Sequence, residues 1–483
     1  MDFEEPLWTS AELLATCGGV GAQPWYADGV HTDSREVMPG DMFIALNGAK
    51  LNGHDYVADA FSRGAVAALV SEDIAVAEAS ALRLVHVNDT LEALRRMAAH
   101  ARNRAPARVV GVTGSAGKTS VVQALRQALG RTEATHASMK SFNNYIGVPL
   151  SLARMPRHSR FGVFELGMNM PGEIAHSARL IAPDVAVVTA VGAAHAAGFE
   201  KLSDIARAKA EIFDGLKPDG LAILGMDHDW AETLRAEAKS CGRDYMTVSV
   251  TGNADVRPLR MTEHGTCSCL TADIAGTTIT YKVGQPGREW VLNSLLVLAA
   301  VKAVGGDLGH AALALSRLQA EPGRGRIHAL QMGRAGCTLI DDSYNANPLS
   351  MTAALRRLSL ATTKGVGRRI AVLSDMKELG ERSEEIHQKL ARDLERFNVD
   401  KLIALGPCMT KVGRRAGVNT EYWELDKFTA RNLAELLRDG DAIMVKGANS
   451  AGLASLVREL LDIADREMAD DSADGMLGVR HAL

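Results

Sequence analysis

The chain has 483 residues, enough for roughly three domains at about 150 residues each. Its 47 % hydrophobic and 23 % charged content, with a formal net charge of −4, describe a soluble globular protein and argue against a nucleic-acid binder and against an acidic disordered tail. No apolar run approaches the ~18 residues of a membrane span, and the opening MDFEEPLWTS lacks a charged-then-apolar leader, so neither membrane association nor secretion is expected.

Residues 1–105 hold VHTDSREVMPGDMFIALNG and then DYVADAFSRGAVAALVSED, a turn-rich β unit followed by a small α/β unit. From residue 106 onward strand-like runs recur: RVVGVTG, FGVFELG, DVAVVTAVG and GLAILGMD. Helix-length segments separate most of them, which is the pattern of βα units on a mainly parallel sheet. The Pro- and Gly-bearing EPGRGRIHAL (321–330) reads as a hinge, after which CTLIDDSYNANP, RRIAVLSDM, DKLIALG and DAIMVKG form a second series. The expected division is therefore α/β throughout, with domains at 1–105, 106–326 and 327–466 and a flexible tail at 467–483, where periodicity is lost. The six cysteines lack the paired spacing of a zinc site and are expected to be free thiols of a reducing cytoplasm.

The stretch GVTGSAGKTS (111–120) sits between a strand-like run and the helical SVVQALRQALG. It misses the general phosphate-loop pattern by one position, because Val112 stands where the first glycine belongs. The physical requirements are nonetheless met: glycines that let N–H groups converge on an anion, with a helix N-terminus behind them. Lys118 is then expected to neutralise phosphate charge and the Thr119 hydroxyl to serve Mg²⁺.

In parallel sheets ligands gather at the carboxyl ends of strands. Glu165 ends the apolar run FGVFE, where an unpaired carboxylate is costly, and is a candidate metal ligand. His195 falls just past the end of another strand. In KLSDIARAKAEIFDGL, Ile205, Ile212, Phe213 and Leu216 form a helical stripe on which Lys209 also falls. Two readings of Lys209 stand open. Burial would favour a neutral amine able to take up CO₂ as a carbamate; alternatively the side chain runs along the stripe edge with its head in water.

The motifs TGSAGKTS, SFNNYIGVPLSL, FELGMNMPGEI, AAHAAGFEKLSDIARAKAEIF, DDSYNANPLSM and LSDMKELGE, with DSREVMPGDMFIALNG before them, occur in the order found in Mur ligases, and the chain resembles that family over residues 30–450. The family's shorter loop, T-G-x-x-G-K-T, accounts for Val112. The resemblance implies an ATP-dependent, ADP-forming amide ligase of peptidoglycan synthesis, taking UDP-N-acetylmuramoyl-tripeptide and D-alanyl-D-alanine, with no nucleic-acid or membrane partner and a monomeric state. It implies a small N-terminal domain gripping the UDP end through Ser34 and Arg35, a central ATPase domain and a Rossmann-like C-terminal domain.

By the same resemblance, Thr113, Gly114, Ser115, Ala116, Gly117, Lys118, Thr119 and Ser120 hold ATP together with Asn293, Arg326, Asp342 and Tyr344. Asn143, Asn144, Asn345 and Asn347 face the substrates. Two Mg²⁺ sites draw on Thr119, Glu165 and His195, and Lys209 is a carbamylated ligand; Lys118, Glu165, His195 and Lys209 form the catalytic set. Three positions depart from the family. Glu289 replaces a histidine, and either weakens nucleotide binding or faces solvent. Ala448 removes a hydroxyl near Ser450, and Ser374 stands where glycine is common. The alternatives are a related ligase taking a different amino acid, or a nucleotide-binding switch that ligates nothing.

Overall fold

The computed structural model describes residues 5–21, 23–48, 51–139, 142–193, 196–199, 201–332, 335–363 and 365–478. The N-terminal portion carries a five-stranded sheet ordered Val20–Gly21, Leu84–His86, Ala67–Val70, Asp41–Ile44 and Gly29–His31. It is fastened to the central portion by helix Thr90–Arg104, by the Trp8 indole N–H donating to the Ala153 carbonyl at 2.8 Å, and by Arg154 Nε donating to the Val30 carbonyl at 2.6 Å.

The central sheet has nine strands. Thr135–Ala137, Phe161–Glu165, Arg108–Thr113, Val185–Val188, Leu221–Gly225 and Asp244–Val248 are mutually parallel; Ser268–Ile274 and Thr277–Val283 add an antiparallel end beyond Val256–Glu263. Period-two alternation divides the strands between two apolar layers. Val110, Val112, Val185 and Val187 pack toward helices Lys118–Leu129 and Arg288–Ala303, whereas Val109, Ala186 and Val188 pack toward Glu173–Ile181 and Leu202–Ala210. Because both faces are covered, these strands read as continuous apolar runs, and their polar terminal residues stand out.

The third sheet is ordered Arg326–Met332, Ala335–Asp342, Ala442–Lys446, Arg369–Ser374, Lys401–Leu405 and Asn419–Trp423, parallel except for its first strand. Every strand-like run named from the sequence is a strand here. The hinge segment is tied to this sheet, since Gly323 N donates to Asp341 Oδ2 and Gly325 N to the Asp341 carbonyl, each at 2.7 Å. Helix Leu453–Gly478 continues past residue 466, where loss of the apolar stripe predicts a tail; a nucleated helix propagates without such a stripe. All six cysteines are free, and among the described residues no helix is long and apolar enough to cross a membrane.

Candidate functional site

Three adjacent parallel strands of the central sheet end together. Glu165 is in register with Val112, and Val188 with Thr113, so one edge presents the phosphate loop, the Glu165 carboxylate and Thr189 side by side. The loop is pinned from beneath: Thr189 Oγ1 donates to the Ala116 carbonyl at 2.6 Å, Ser115 N donates to the Ala190 carbonyl at 2.7 Å, and Ser115 Oγ donates to the Gly192 carbonyl at 2.9 Å. Gly117 precedes the helix with φ of +89°, and a Cβ there would lie 2.8 Å from Asn293 Oδ1. The backbone therefore favours glycine, and a Cβ would also push the Asn293 amide aside.

Lys118 opens the helix and donates from Nζ to the Gly114 carbonyl at 2.7 Å, curled over its own loop. Burial pulls its pKa down, Glu165 acts in the opposite sense, and Arg324 adds to the lowering. Glu165 is 1 % exposed and accepts two hydrogen bonds, from Thr119 Oγ1 at 2.8 Å and Asn143 Nδ2 at 2.7 Å. Both partners are neutral, so among the described residues this buried carboxylate has no cation in direct contact, and such a group is costly without one. Thr119 gives its proton to Glu165 and keeps its lone pairs. A hydroxyl and a carboxylate on a phosphate loop are hard oxygen donors of the kind Mg²⁺ takes, so these residues fit that ion.

Lys209 is 1 % exposed, which overturns the reading with its head in water. Ile205, Ile212, Phe213 and Leu216 are buried with it, as the stripe predicts. Burial drives its pKa well below the ordinary lysine value, the Lys118 charge adds to this, and Glu211 opposes it. A neutral amine in this setting fits carbamate formation. His195 lies outside the described residues.

The facing wall comes from the third sheet. Asp342 and Lys446 are register partners on adjacent strands and pair at 3.0 Å, with Lys446 Nζ also donating to the Asn345 carbonyl at 2.9 Å. The Arg324 guanidinium lies 4.1 Å from the centre of the Tyr344 ring. Asn347 caps helix Pro348–Leu360 and reaches across from Nδ2 to the Ser115 carbonyl at 3.0 Å. Leu349 packs on Gly192, and Ala197 N donates to the Glu378 carbonyl at 3.0 Å. The two domains enclose a cleft of about 910 Å³ lined by Lys118, Thr119, Glu165, Asn143, Asn293, Arg324, Asp342, Tyr344, Asn345, Asn347 and Lys446. Ser115, Ala116, Gly117, Ser120 and Asn144 line it too, although Asn144 Oδ1 already accepts from Gly147 N at 2.8 Å.

Some expected residues fall elsewhere. Arg326 is an exposed first strand residue and does not line the cleft; Arg324, two positions earlier, does. Thr113 is wholly buried beneath the loop. Ser34 and Arg35 sit on the N-terminal domain away from the cleft, Arg35 paired with Asp33 at 2.6 Å. Ala448 and Ser450 both line the cleft, and Ser374 is not at positive φ, so serine is accommodated there. Lys446 and Arg357 were not singled out from the sequence. Lys446 carries the same signal as Glu165, a charge closing an apolar run, and Arg357 the same signal as Lys209, a charge among stripe residues Ala354, Leu355 and Leu358. A separate trio, Asp375, His387 and Cys408, has ligand atoms within 4.8 Å of one another. Met376 N donates to His387 Nε2 at 2.8 Å and His387 Nδ1 meets the Ser383 carbonyl at 2.6 Å, so both ring nitrogens are already used.

Three family models match the chain: the Mur ligase middle domain over residues 112–301, the Mur ligase glutamate ligase domain over 325–449, and the Mur ligase family catalytic domain over 27–102. The chain is 34 % identical over 436 residues to the UDP-N-acetylmuramoyl-tripeptide–D-alanyl-D-alanine ligase of Escherichia coli, spanning 90 % of this chain and 93 % of that protein. It is 30 % identical over 453 residues to the Bacillus subtilis protein of the same name, spanning 92 % and 96 %. Among solved structures, MurF from Acinetobacter baumannii superposes with a TM-score of 0.80 at 26 % identity over 95 % of this chain and 99 % of that one. MurF ligase from Thermotoga maritima in complex with ADP gives 0.75 at 25 % identity over 91 % and 98 %.

Proposed function

The chain belongs to the Mur ligase family, and on that premise we propose how its cleft joins D-alanyl-D-alanine to UDP-N-acetylmuramoyl-tripeptide, using ATP, in peptidoglycan precursor synthesis. The observation that carries the reading is the meeting of two strand-end sets across one cleft. Lys118, Thr119 and Glu165 stand on the central sheet, and Asp342, Asn345, Asn347 and Lys446 face them from the C-terminal sheet.

The tripeptide carboxylate attacks the γ-phosphorus of ATP, giving an acyl phosphate and ADP. The amine of D-alanyl-D-alanine then attacks the acyl carbon, inorganic phosphate leaves with the C–O electron pair, and the nitrogen loses a proton. The first step brings anion against anion, so the protein's task is charge neutralisation and alignment. Lys118 swings from the Gly114 carbonyl to the phosphates, and the loop N–H groups cradle them. Thr119 and Glu165, with His195, are the residues that hold Mg²⁺, which when bound neutralises phosphate charge and orients the reacting oxygens. Lys209 takes up CO₂ as a carbamate, losing a proton, and becomes an anionic oxygen donor beside Lys118. The contact from Asn347 to Ser115 closes the cleft against water, which would hydrolyse an acyl phosphate.

The domains divide at 1–105, 106–326 and 327–466, with Ser34 and Arg35 receiving the uridine diphosphate end of the substrate. The enzyme acts as a cytoplasmic monomer. The test is mass analysis of products with D-alanyl-D-alanine against single amino acids as acceptor. Formation of the muramoyl pentapeptide from the dipeptide alone supports the reading, and a product with a single amino acid instead refutes it.

A further inference from the structure

Two helices from different domains meet beside the cleft through charged side chains. Arg356 Nη2 donates to both oxygens of Glu263 at 3.1 and 3.3 Å, and Arg288 Nε reaches the same carboxylate at 3.4 Å. These side chains retain solvent contact, and pairs of that kind hold little on their own. The neighbouring pair differs. Arg357, from helix Pro348–Leu360, donates from Nη2 to Glu289 Oε1 at 2.6 Å, and Glu289 stands in the first turn of helix Arg288–Ala303.

Arg357 is 6 % exposed. Burial alone would weaken its charge, yet Glu289 and Asp342 hold the guanidinium above the ordinary arginine value. Only one of its three nitrogens is engaged: Nε and Nη1 are buried without a hydrogen-bond partner among the described residues. Arg357 lines the cleft, with Nη1 turned toward the backbone of Gly325, where φ is +86° and a Cβ would collide with that nitrogen. Buried donors left unmet are destabilising unless an acceptor arrives with a ligand. Cations gather on this side of the cleft: Lys446 feels the charges of Arg357 and Arg324 as well as that of Asp342, and Lys118 feels Arg324 as well as Glu165. A guanidinium with unmet donors is matched best by an anionic oxygen.

We propose that Arg357 binds a phosphate oxygen of the nucleotide and that Glu289 is its positioning residue, so that nucleotide binding and domain closure share one buried ion pair. The expectation that Glu289 either weakens ATP binding or faces solvent is replaced by a third outcome: its charge is cancelled by Arg357, which it also aims. The inference rests on the ATP reading of the cleft given above.

Titration calorimetry of ADP with Mg²⁺, on the full chain, tests both separately. Failure of the unaltered protein to bind ADP would sink the ATP reading itself. Given binding, Arg357→Lys keeps the buried charge but loses the planar fork, and its ADP affinity is expected to fall about 10- to 100-fold, the usual loss for a charged hydrogen bond. Arg357→Met is expected to fall further, because it strands Glu289 beside the phosphates. Adding Glu289→Gln to Arg357→Met should then restore part of the affinity, whereas Glu289→Gln alone should weaken it. Thermal melting of each variant controls for folding, and Arg357→Lys, which retains the ion pair, is the variant least exposed to that failure. Unchanged ADP affinity in Arg357→Lys, or losses that simply multiply in the double variant, would overturn the proposal. So would weakened binding of the muramoyl substrate with ADP affinity intact, which would place the acceptor on the substrate carboxylate.

Discussion

Asn347 Nδ2 donates to the Ser115 carbonyl at 3.0 Å, a hydrogen bond that runs from the first turn of a C-terminal-domain helix to the phosphate loop of the central domain. The same side chain accepts from Ser350 N through Oδ1 at 2.9 Å, so one amide both caps its helix and clasps the loop. The two roles separate by substitution. Aspartate caps a helix as well as asparagine but offers no donor. Asn347→Asp is therefore expected to leave the melting temperature nearly unchanged while lowering kcat about 10- to 100-fold, as a carboxylate opposes a carbonyl and the incoming phosphates. An equal fall in stability and activity would show that only the cap matters.

Glu165 and Thr119 share a buried hydrogen bond, with no cation in direct contact among the described residues. Glu165→Gln preserves the shape but removes the charge that suits Mg²⁺ and turns one of the two accepting oxygens into a donor. Ligation is expected to fall by at least ~100-fold, with the Mg²⁺ concentration for half-maximal rate moving upward. Thr119→Val should do the same, and Thr119→Ser should retain most activity. Steady-state rates across a Mg²⁺ titration check all three.

Lys209 lies in an apolar stripe, with its ammonium form disfavoured by burial and by Lys118. A lysine whose folded pKa is below its unfolded value of 10.5 binds fewer protons when folded, so between the two values stability rises with pH and is lost as pH falls. Lys209→Met should thus melt higher than the parent at pH 7 in CO₂-depleted buffer, by about 2–4 °C per kcal/mol, and gain less on going to pH 9. It should also be inactive. Lys209→Ala is expected to be inactive and to recover part of its rate with added short-chain carboxylates, which stand in for the carbamate. Normal turnover by Lys209→Ala would exclude that role.

Arg324 and Arg326 are two residues apart, but only Arg324 lines the cleft. Arg324→Ala is expected to raise the KM for ATP about tenfold or more, and Arg326→Ala to change it less than twofold, since contacts to charged groups matter chiefly when desolvated. Reversal of that order would mean the hinge segment is rearranged during turnover.

Much of this site was visible in the chain because buried parallel strands are nearly uniform in apolar character. Against that background, Glu165 at the end of FGVFE and the loop after RVVGVT stand out, and both lie at the cleft. Lys209 was legible by the helical period alone, although its burial needed the packed layers of Ile205, Ile212 and Phe213 to be decided. The Arg357–Glu289 pair was not legible, because its members are 68 residues apart and meet only when two domains dock. Arg324 lines the cleft where the resemblance points to Arg326, and the reason is simpler. A resemblance in a glycine-rich hinge does not fix which arginine the chain turns inward, and here the bonds from Gly323 and Gly325 to Asp341 set it.

The central claim is that one cleft uses ATP to activate a peptide carboxylate for an amine. The most direct measurement is ADP release by the full chain with UDP-N-acetylmuramoyl-tripeptide, with and without D-alanyl-D-alanine. The expected result is rapid ADP formation only when both are present, matched mole for mole by muramoyl pentapeptide. ADP release that is slow and indifferent to either substrate would contradict the account.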